Sequence, residues 1–427
     1  MQKRNKIYSD ASEQSRTLLE TILSKKAEIG KCERSFIVGV LLLFLTMKGR
    51  HHFQGMSRYG DMNEKSYRLN FEKYGNDFDF QWFNGVLFEE YLSDDLLVVF
   101  DPSYLPKSGK HTPNTSKRWS GCLGKAAWGM EIGGIGIVDM QHNTAFHYEA
   151  VPTPSNDKLK ELDQTLLDNY GSTLIARHED LERFSTYLCV DGYFSKKNFV
   201  DQIKNETGFE IISKLRKDAK LQYLYDGPRR KGRGRPKKYD GVVNLNNLNE
   251  KYFKVCYEDN EVLIYEAVVW ANALKRKIKL AYVRYKDKDG NLLKSSKRYA
   301  LLFSTDIELD AFMIYKYYRA RFQIEFLFRD AKQYTGLTHC QARSENKLYF
   351  HFNIALTAVN IAKIAHWLPL PKDENGNKPP FSLATIKALY FNELILDLFF
   401  SRFDIEPNTE INKEKYLQLI RFGCMAS

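Results

Sequence analysis

The sequence predicts an α/β protein built on a mixed sheet, with helical regions at both ends and a β-rich insertion between. Three observations carry this. Apolar residues recur at helical spacing through residues 1–92 and again after Ile307. From Leu96 to Asp191 the chain changes to short apolar runs bounded by Gly and Pro, the pattern of strands and turns. From about 225 to 304 the alternation has a period of two. Strands, then a helix, then another strand in one stretch is an α/β layout.

Taken in order, Ser12 to Lys31 is a polar amphipathic stretch, and Phe36 to Met47 is the longest apolar run. That run reads as a core helix, since crossing a bilayer needs roughly 18 residues. HHFQGMSRY and EKSYRLNFEKY follow, basic and aromatic, as either a nucleic-acid-binding or a packing module. LLVVFD ends in Asp101, MEIGGIGIVDM and AFHYEAVP read as a meander, 157–180 as helix, and TYLCVD ends in Asp191. YFKVCY, VLIYEAVV, IKLAYVRY and KRYALLF supply the insertion, with DKDG as a hairpin turn. Residues 307–367 return to helical spacing. A Pro-rich loop and a pair of short helices close the chain. The boundaries follow as 1–92, 93–224, 225–304, 305–390 and 391–427.

Composition narrows the function. Hydrophobic residues make up 43% and charged residues 27%, which excludes a disordered or collagen-like chain. Lys and Arg number 64 against 53 Asp and Glu, a net charge of +11, which favours polyanionic partners, nucleic acid first. The six cysteines lie far apart without a CxxC pair, so buried thiols in a reducing compartment, the cytoplasm, are expected. GCLGK spaces its glycines too closely for a phosphate-cradling loop, and neither HExxH nor GxSxG occurs.

Chemistry concentrates on three acids. Asp101 and Asp191 each end a strand-like run, where α/β sheets place their sites; a turn or cap residue is the competing reading for either. Glu325 lies in YKYYRARFQIEFLFRDAKQYTGL. On one continuous helix, Tyr318, Arg321, Glu325 and Lys332 fall within about 60° of one another. Ala320, Ile324, Leu327 and Ala331 form a separate apolar stripe that would dock the helix on a sheet. A surface helix with an Arg321–Glu325 ion pair is the bland alternative, but it leaves Tyr318 and Lys332 unexplained.

The spacing Y-(2)-R-(3)-E-(6)-K resembles the signature of bacterial insertion-sequence transposases of the DDE class, the YREK group. VVFDPSYLPKSGKHT around Asp101, LCVDGYFSKKNF around Asp191, LLFSTDIEL, and RFQIEFLFRDAKQYTGLTHCQARSENKLYFHFNIAL are similar to the same family. The resemblance spans roughly residues 35–395. It implies an RNase H-like core in which Asp101, Asp191 and Glu325 hold two Mg²⁺ or Mn²⁺ ions, their oxygens within a few ångströms of a shared position, for in-line phosphoryl transfer on DNA. It further implies cleavage and joining at terminal inverted repeats by cut-and-paste, with a hairpin intermediate. The protein would act as a homodimer in a synaptic complex on the nucleoid, its helical N-terminal region helping to bind element ends. A nuclease that cuts without joining, or an inactive DNA-binding relative, is the alternative.

By the same resemblance Tyr318, Arg321 and Lys332 would bind phosphates and the flanking nucleotide. Lys107 and Lys110 stand one loop beyond Asp101 and are candidates for holding the scissile strand, with a solvated turn as the competing reading. Trp270 in the insertion is a candidate to stack on a flipped base, against a core role. RRKGRGRPKK, residues 229–238, holds seven cations in ten positions. Arg233 and Arg235 within it would act as a minor-groove arm or as a basic loop touching phosphate.

Overall fold

The computed structural model describes residues 11–109, 111–228, 236–293, 298–371, 378–403 and 409–424. Five helices come first: α1 (Ala11–Ser24), α2 (Lys31–Thr46), α3 (Phe53–Tyr59), α4 (Glu64–Asp77) and α5 (Phe80–Tyr91). Four strands follow, β1 (Leu96–Pro106), β2 (Ser116–Ser120), β3 (Lys125–Asp139) and β4 (Thr144–Pro152), and then α6 (Asn156–Glu161), α7 (Leu166–Ile175) and α8 (His178–Glu182). Next are β5 (Tyr187–Val190), α9 (Lys197–Glu206), β6 (Glu210–Leu215), β7 (Leu221–Leu224), β8 (Tyr239–Val242), β9 (Lys254–Glu258), β10 (Val262–Ala271), β11 (Arg276–Tyr285) and β12 (Tyr299–Ser304). The helices α10 (Ala311–Ala320), α11 (Gln323–Tyr334), α12 (Glu345–Trp367), α13 (Leu383–Arg402) and α14 (Thr409–Ile420) end the described chain.

The twelve strands among the described residues belong to one mixed sheet, in the order β2-β3-β1-β5-β6-β12-β11-β10-β7-β8, with β4 beside β3 and β9 beside β10. In one half β1, β5 and β6 run parallel while β3 and β4 run antiparallel to their neighbours. In the other half every pairing is antiparallel. The expected meander is β3 with β4. The expected insertion is an extension of the same sheet, since β12 pairs with β6. β7 lies before position 225 in sequence yet pairs with β10, so the antiparallel half begins earlier than the alternation alone suggests.

Helix α2 forms where the long apolar run lies, and it buries Phe36 through Val38 and Val40 through Leu45. The basic aromatic words that follow turn their rings inward: Phe71 packs edge-on against Phe36, Phe53 and Phe350. These helices therefore share a core with α12. Cys189 and Cys340 are buried as expected, whereas Cys32 and Cys122 are exposed.

Among the described residues α12 is the one helix long and apolar enough to cross a membrane, yet 94% of that window is buried inside the protein. Its polar residues explain its position. Asn353 accepts from Ala150 N and donates to Ala150 O, at 2.8 and 3.0 Å. Asn360 treats His147 N and O in the same way, at 2.8 and 2.7 Å. Lys363 donates to Ala145 O at 2.8 Å. Strand β4 is an edge, and α12 supplies the partners that a further strand would have given.

Candidate active site

Strands β1 and β5 are adjacent and parallel, with Phe100 opposite Val190. β1 does not end at Asp101 as expected but continues to Pro106 paired with β3, so Asp101 stands midway along its strand beside Asp191, which directly follows the end of β5. Asp101 lies opposite Gly134 of β3. A Cβ at Gly134 would stand 2.3 Å from the Phe328 ring, and one at Gly136 would stand 3.3 Å from Ile324. Side-chain-free positions on β3 thus let α11 lie close on the face that carries Asp101. The anchoring stripe of Ala320, Ile324, Leu327 and Ala331 is buried, with Phe328 added to it.

The single helix expected from Tyr318 to Lys332 is broken. Helix α10 ends at Ala320 and α11 starts at Gln323. Between them Phe322 N donates to Arg319 O, Ile324 N to Arg321 O and Glu325 N to Phe322 O, each spanning three residues. This tighter winding rotates the two segments relative to one another. Tyr318 therefore belongs to one helix, Arg321 to the junction, and Glu325 and Lys332 to the other.

The Arg321 guanidinium bridges two of the acids, Nη1 at 3.4 Å from Asp101 Oδ1 and Nη2 at 3.2 Å from Glu325 Oε1. Its Nε is buried without a partner. The Tyr318 ring lies 5.7 Å from the guanidinium carbon, and burial pushes its hydroxyl up to about 12. Asp191 caps a tight turn at Gly192–Phe194 by accepting from Tyr193 N, and its carbonyl accepts from Ser213 Oγ at 2.8 Å.

Burial pushes Asp101 up to about 7. Arg321 and Lys332 pull it down, while Glu325 and Asp191 push it up, so the five groups share one electrostatic environment. Lys332 is held below its ordinary value by burial and is stabilised by Asp101.

Among the described residues no three His, Cys, Asp or Glu side chains stand at the spacing of a preformed metal cage. The expectation that all three carboxylates surround one shared position is not met in this arrangement. The Arg321 guanidinium stands between Asp101 and Glu325 as their shared partner.

The remaining sequence candidates fall elsewhere. Lys107 Nζ donates to Thr338 O at 3.2 Å and also to Cys340 O, which ties it to the loop after α11 and gives its ammonium a structural role. Trp270 is half-buried in β10, its ring 5.5 Å from Tyr239, and pairs with Lys277 of β11. Lys110, Arg233 and Arg235 lie outside the described residues. One feature escaped the sequence reading: a cleft of about 480 Å³ beside Asp191, lined by Gly192, Lys214, Leu215, Arg216, Lys217 and Asp218. The available signal was the basic word SKLRKDAK, which begins within β6, the strand that pairs with β5.

A buried carboxylate next to two others, countered by an arginine and a lysine, is a place to bind cations and phosphate together. The model of the family described as "Transposase DDE domain" matches residues 136–361. That span starts inside β3 and ends in α12, so it contains Asp191 and Glu325 and begins after Asp101. No curated protein matches the chain. Because the match covers more than half of the 427 residues, the chain belongs to the transposase DDE-domain family.

Proposed function

We propose that this protein cuts and joins DNA at the terminal inverted repeats of a bacterial insertion sequence, as a YREK-group transposase whose acids are Asp101, Asp191 and Glu325. The observation that carries the reading is the convergence of the middle of β1, the end of β5 and α11, where Arg321 links Asp101 to Glu325. The strand order β4-β3-β1-β5-β6, with the last three parallel, supports an RNase H-like core.

The residues fit a divalent metal. Their donors are hard carboxylate oxygens, and Asp101 is pushed up to about 7 because the charges around it do not offset its burial. Asp101, Asp191 and Glu325 would hold two Mg²⁺ or Mn²⁺ ions. When bound, such ions stabilise the attacking and leaving oxygens of an in-line phosphoryl transfer.

The chain's own groups do the rest. Arg321 and Lys332 neutralise the phosphate that the three acids would otherwise repel. Tyr318, kept protonated by its burial, presents a hydroxyl beside them. Excision through a hairpin intermediate belongs to the same reading.

Action as a homodimer is supported by α13 and its C-cap, where Ile395, Leu398, Phe399 and Phe403 are 47, 44, 47 and 65% exposed at helical spacing. An apolar stripe of this kind is what an interface between copies buries.

The test is an incubation of the purified protein with Mg²⁺ and a duplex carrying the element's terminal repeat. Cleavage at the 3′ end followed by joining to a second duplex is the expected result. Cleavage without joining would leave a nuclease, and binding without cleavage an inactive relative.

A further inference from the structure

The β2–β3 hairpin carries a surface that neither the fold nor the acids require. Trp119, Leu123 and Trp128 are 66, 56 and 53% exposed. Lys117 lies opposite Trp128, and Trp119 opposite Ala126, so both indoles and Lys117 share one face of the two-stranded ribbon. The reverse face is buried and pinned: Arg118 Nη1 donates to Asn156 Oδ1 at 2.6 Å, and Ser116 Oγ accepts from Asn156 N at 2.8 Å. An amphipathic ribbon has therefore put its polar residues inward and its largest apolar ones into solvent.

That outward face continues into the active site. Side chains alternate along β3, so Trp128 is on the same sheet face as Gly134, whose register partner is Asp101. Helix α11 lies on this face through Phe328, and Lys332, one turn further along, senses Cys122 at the hairpin tip as well as Asp101. From Gly134 to Trp128 is six residues of strand, about 20 Å. A track runs from the three acids past Lys332 to the two indoles.

We propose that the outer face of this hairpin is a stacking platform for unpaired DNA bases, holding a single strand that leaves the carboxylate site. The inference rests on the function proposed above. Charge selects the occupant: between Asp101 and Glu131 the chain carries no carboxylate and five Lys or Arg. On the outer face Lys117 stands beside the two aromatic faces, a cation for phosphate next to rings for bases. The bond from Arg118 to Asn156 fixes the ribbon from behind, so its strands need little ordering when a base stacks on the indoles.

The probes are a fluorescein-labelled oligothymidylate of about 20 nucleotides and a mixed-sequence duplex of about the same length, followed by anisotropy. Replacing Trp119→Ala and Trp128→Ala together should weaken binding of the oligothymidylate by about tenfold or more and that of the duplex by less than about twofold. Replacing both by Phe should restore most of the affinity. A second measurement works on folded wild-type protein: oligothymidylate should quench its indole emission, and the double Phe variant should lose that quenching.

Equal affinities of wild-type and double-Ala protein for the oligothymidylate, or unchanged affinity with a lost dimer, would overturn the platform while leaving the transposase reading intact. Wild-type protein that binds neither probe would overturn both.

Discussion

Two buried polar regions of this molecule, the α12–β4 seam and the Asp101–Arg321–Glu325 cluster, are built on opposite terms. In the seam, Asn353 and Asn360 are fully buried, and each amide uses its oxygen and nitrogen on the N–H and C=O of one strand residue. In the cluster Arg321 reaches both carboxylates only at 3.2–3.4 Å and keeps an orphaned Nε, and Asp101 is driven to about 7. A satisfied polar network stabilises a fold. An unbalanced one is a place where binding free energy remains to be gained, and it is the one that shares its surroundings with Asp191 and Lys332.

The largest effect that would break this contrast is on catalysis. Glu325→Gln keeps the shape of α11 but removes a charge, so Mg²⁺-dependent cleavage of a terminal-repeat duplex should fall on the order of a thousandfold or more. Retardation of the same duplex on a gel should persist. Normal cleavage by the variant would remove Glu325 from the site.

The seam should respond in the opposite sense. Asn360→Leu leaves His147 N–H and C=O buried without partners, which should cost about 2–4 kcal/mol of unfolding free energy in urea. Cleavage per folded molecule should stay close to wild type. A variant as stable as wild type would mean that β4 needs no cover from α12.

Metal dependence sharpens the comparison further. At Mg²⁺ a hundredfold above its dissociation constant, the native state should gain about 2.7 kcal/mol, seen as a higher melting temperature that is lost with a chelator. Asp101→Asn and Glu325→Gln should abolish the gain, and Asn360→Leu should keep it. Equal shifts in all four proteins would place cation binding elsewhere.

How much of this was legible in the sequence follows the same division. Asp101, Asp191 and the Tyr318–Lys332 spacing could be read because each carries a local mark in the sequence, the close of an apolar run or a helical spacing, although β1 runs on past Asp101 to Pro106. The anchoring residues Ile324, Leu327 and Ala331 followed from the same periodicity and are buried. The break at Arg321 and Phe322 could not be read, since neither Gly nor Pro marks it and only three-residue hydrogen bonds make it. Nor could the seam, because Asn353 and Ala150 are about two hundred positions apart. A reading by uninterrupted apolar runs also passes over α12, whose asparagines look like surface until the edge strand that needs them is known.

Lys387 on α13 stands between the two extremes, and it gives the smallest effect. Its ammonium is buried and donates to Phe44 O and Met47 O, carbonyls at the end of α2, at 3.0 and 2.7 Å. A helix C-terminus suits a cation, yet burial, with Lys48 adding repulsion, pulls Lys387 down to about 7. His51, packed beside it, is itself held well below its ordinary value by burial and by Lys387, and stays neutral in this range. Above pH 7 the folded protein has released the Lys387 proton, while the unfolded chain keeps it until about pH 10. The unfavourable burial of charge is therefore fully present below pH 7 and is relieved as pH rises through that window. Relative to Lys387→Met, the wild-type unfolding free energy should climb by up to about 1.4 kcal/mol per pH unit between those limits and run parallel below them. Urea titrations of both proteins at matched pH values measure the difference. Curves that stay parallel throughout would mean that the two carbonyls alone keep Lys387 charged, and that its burial is as well satisfied as the asparagines of α12.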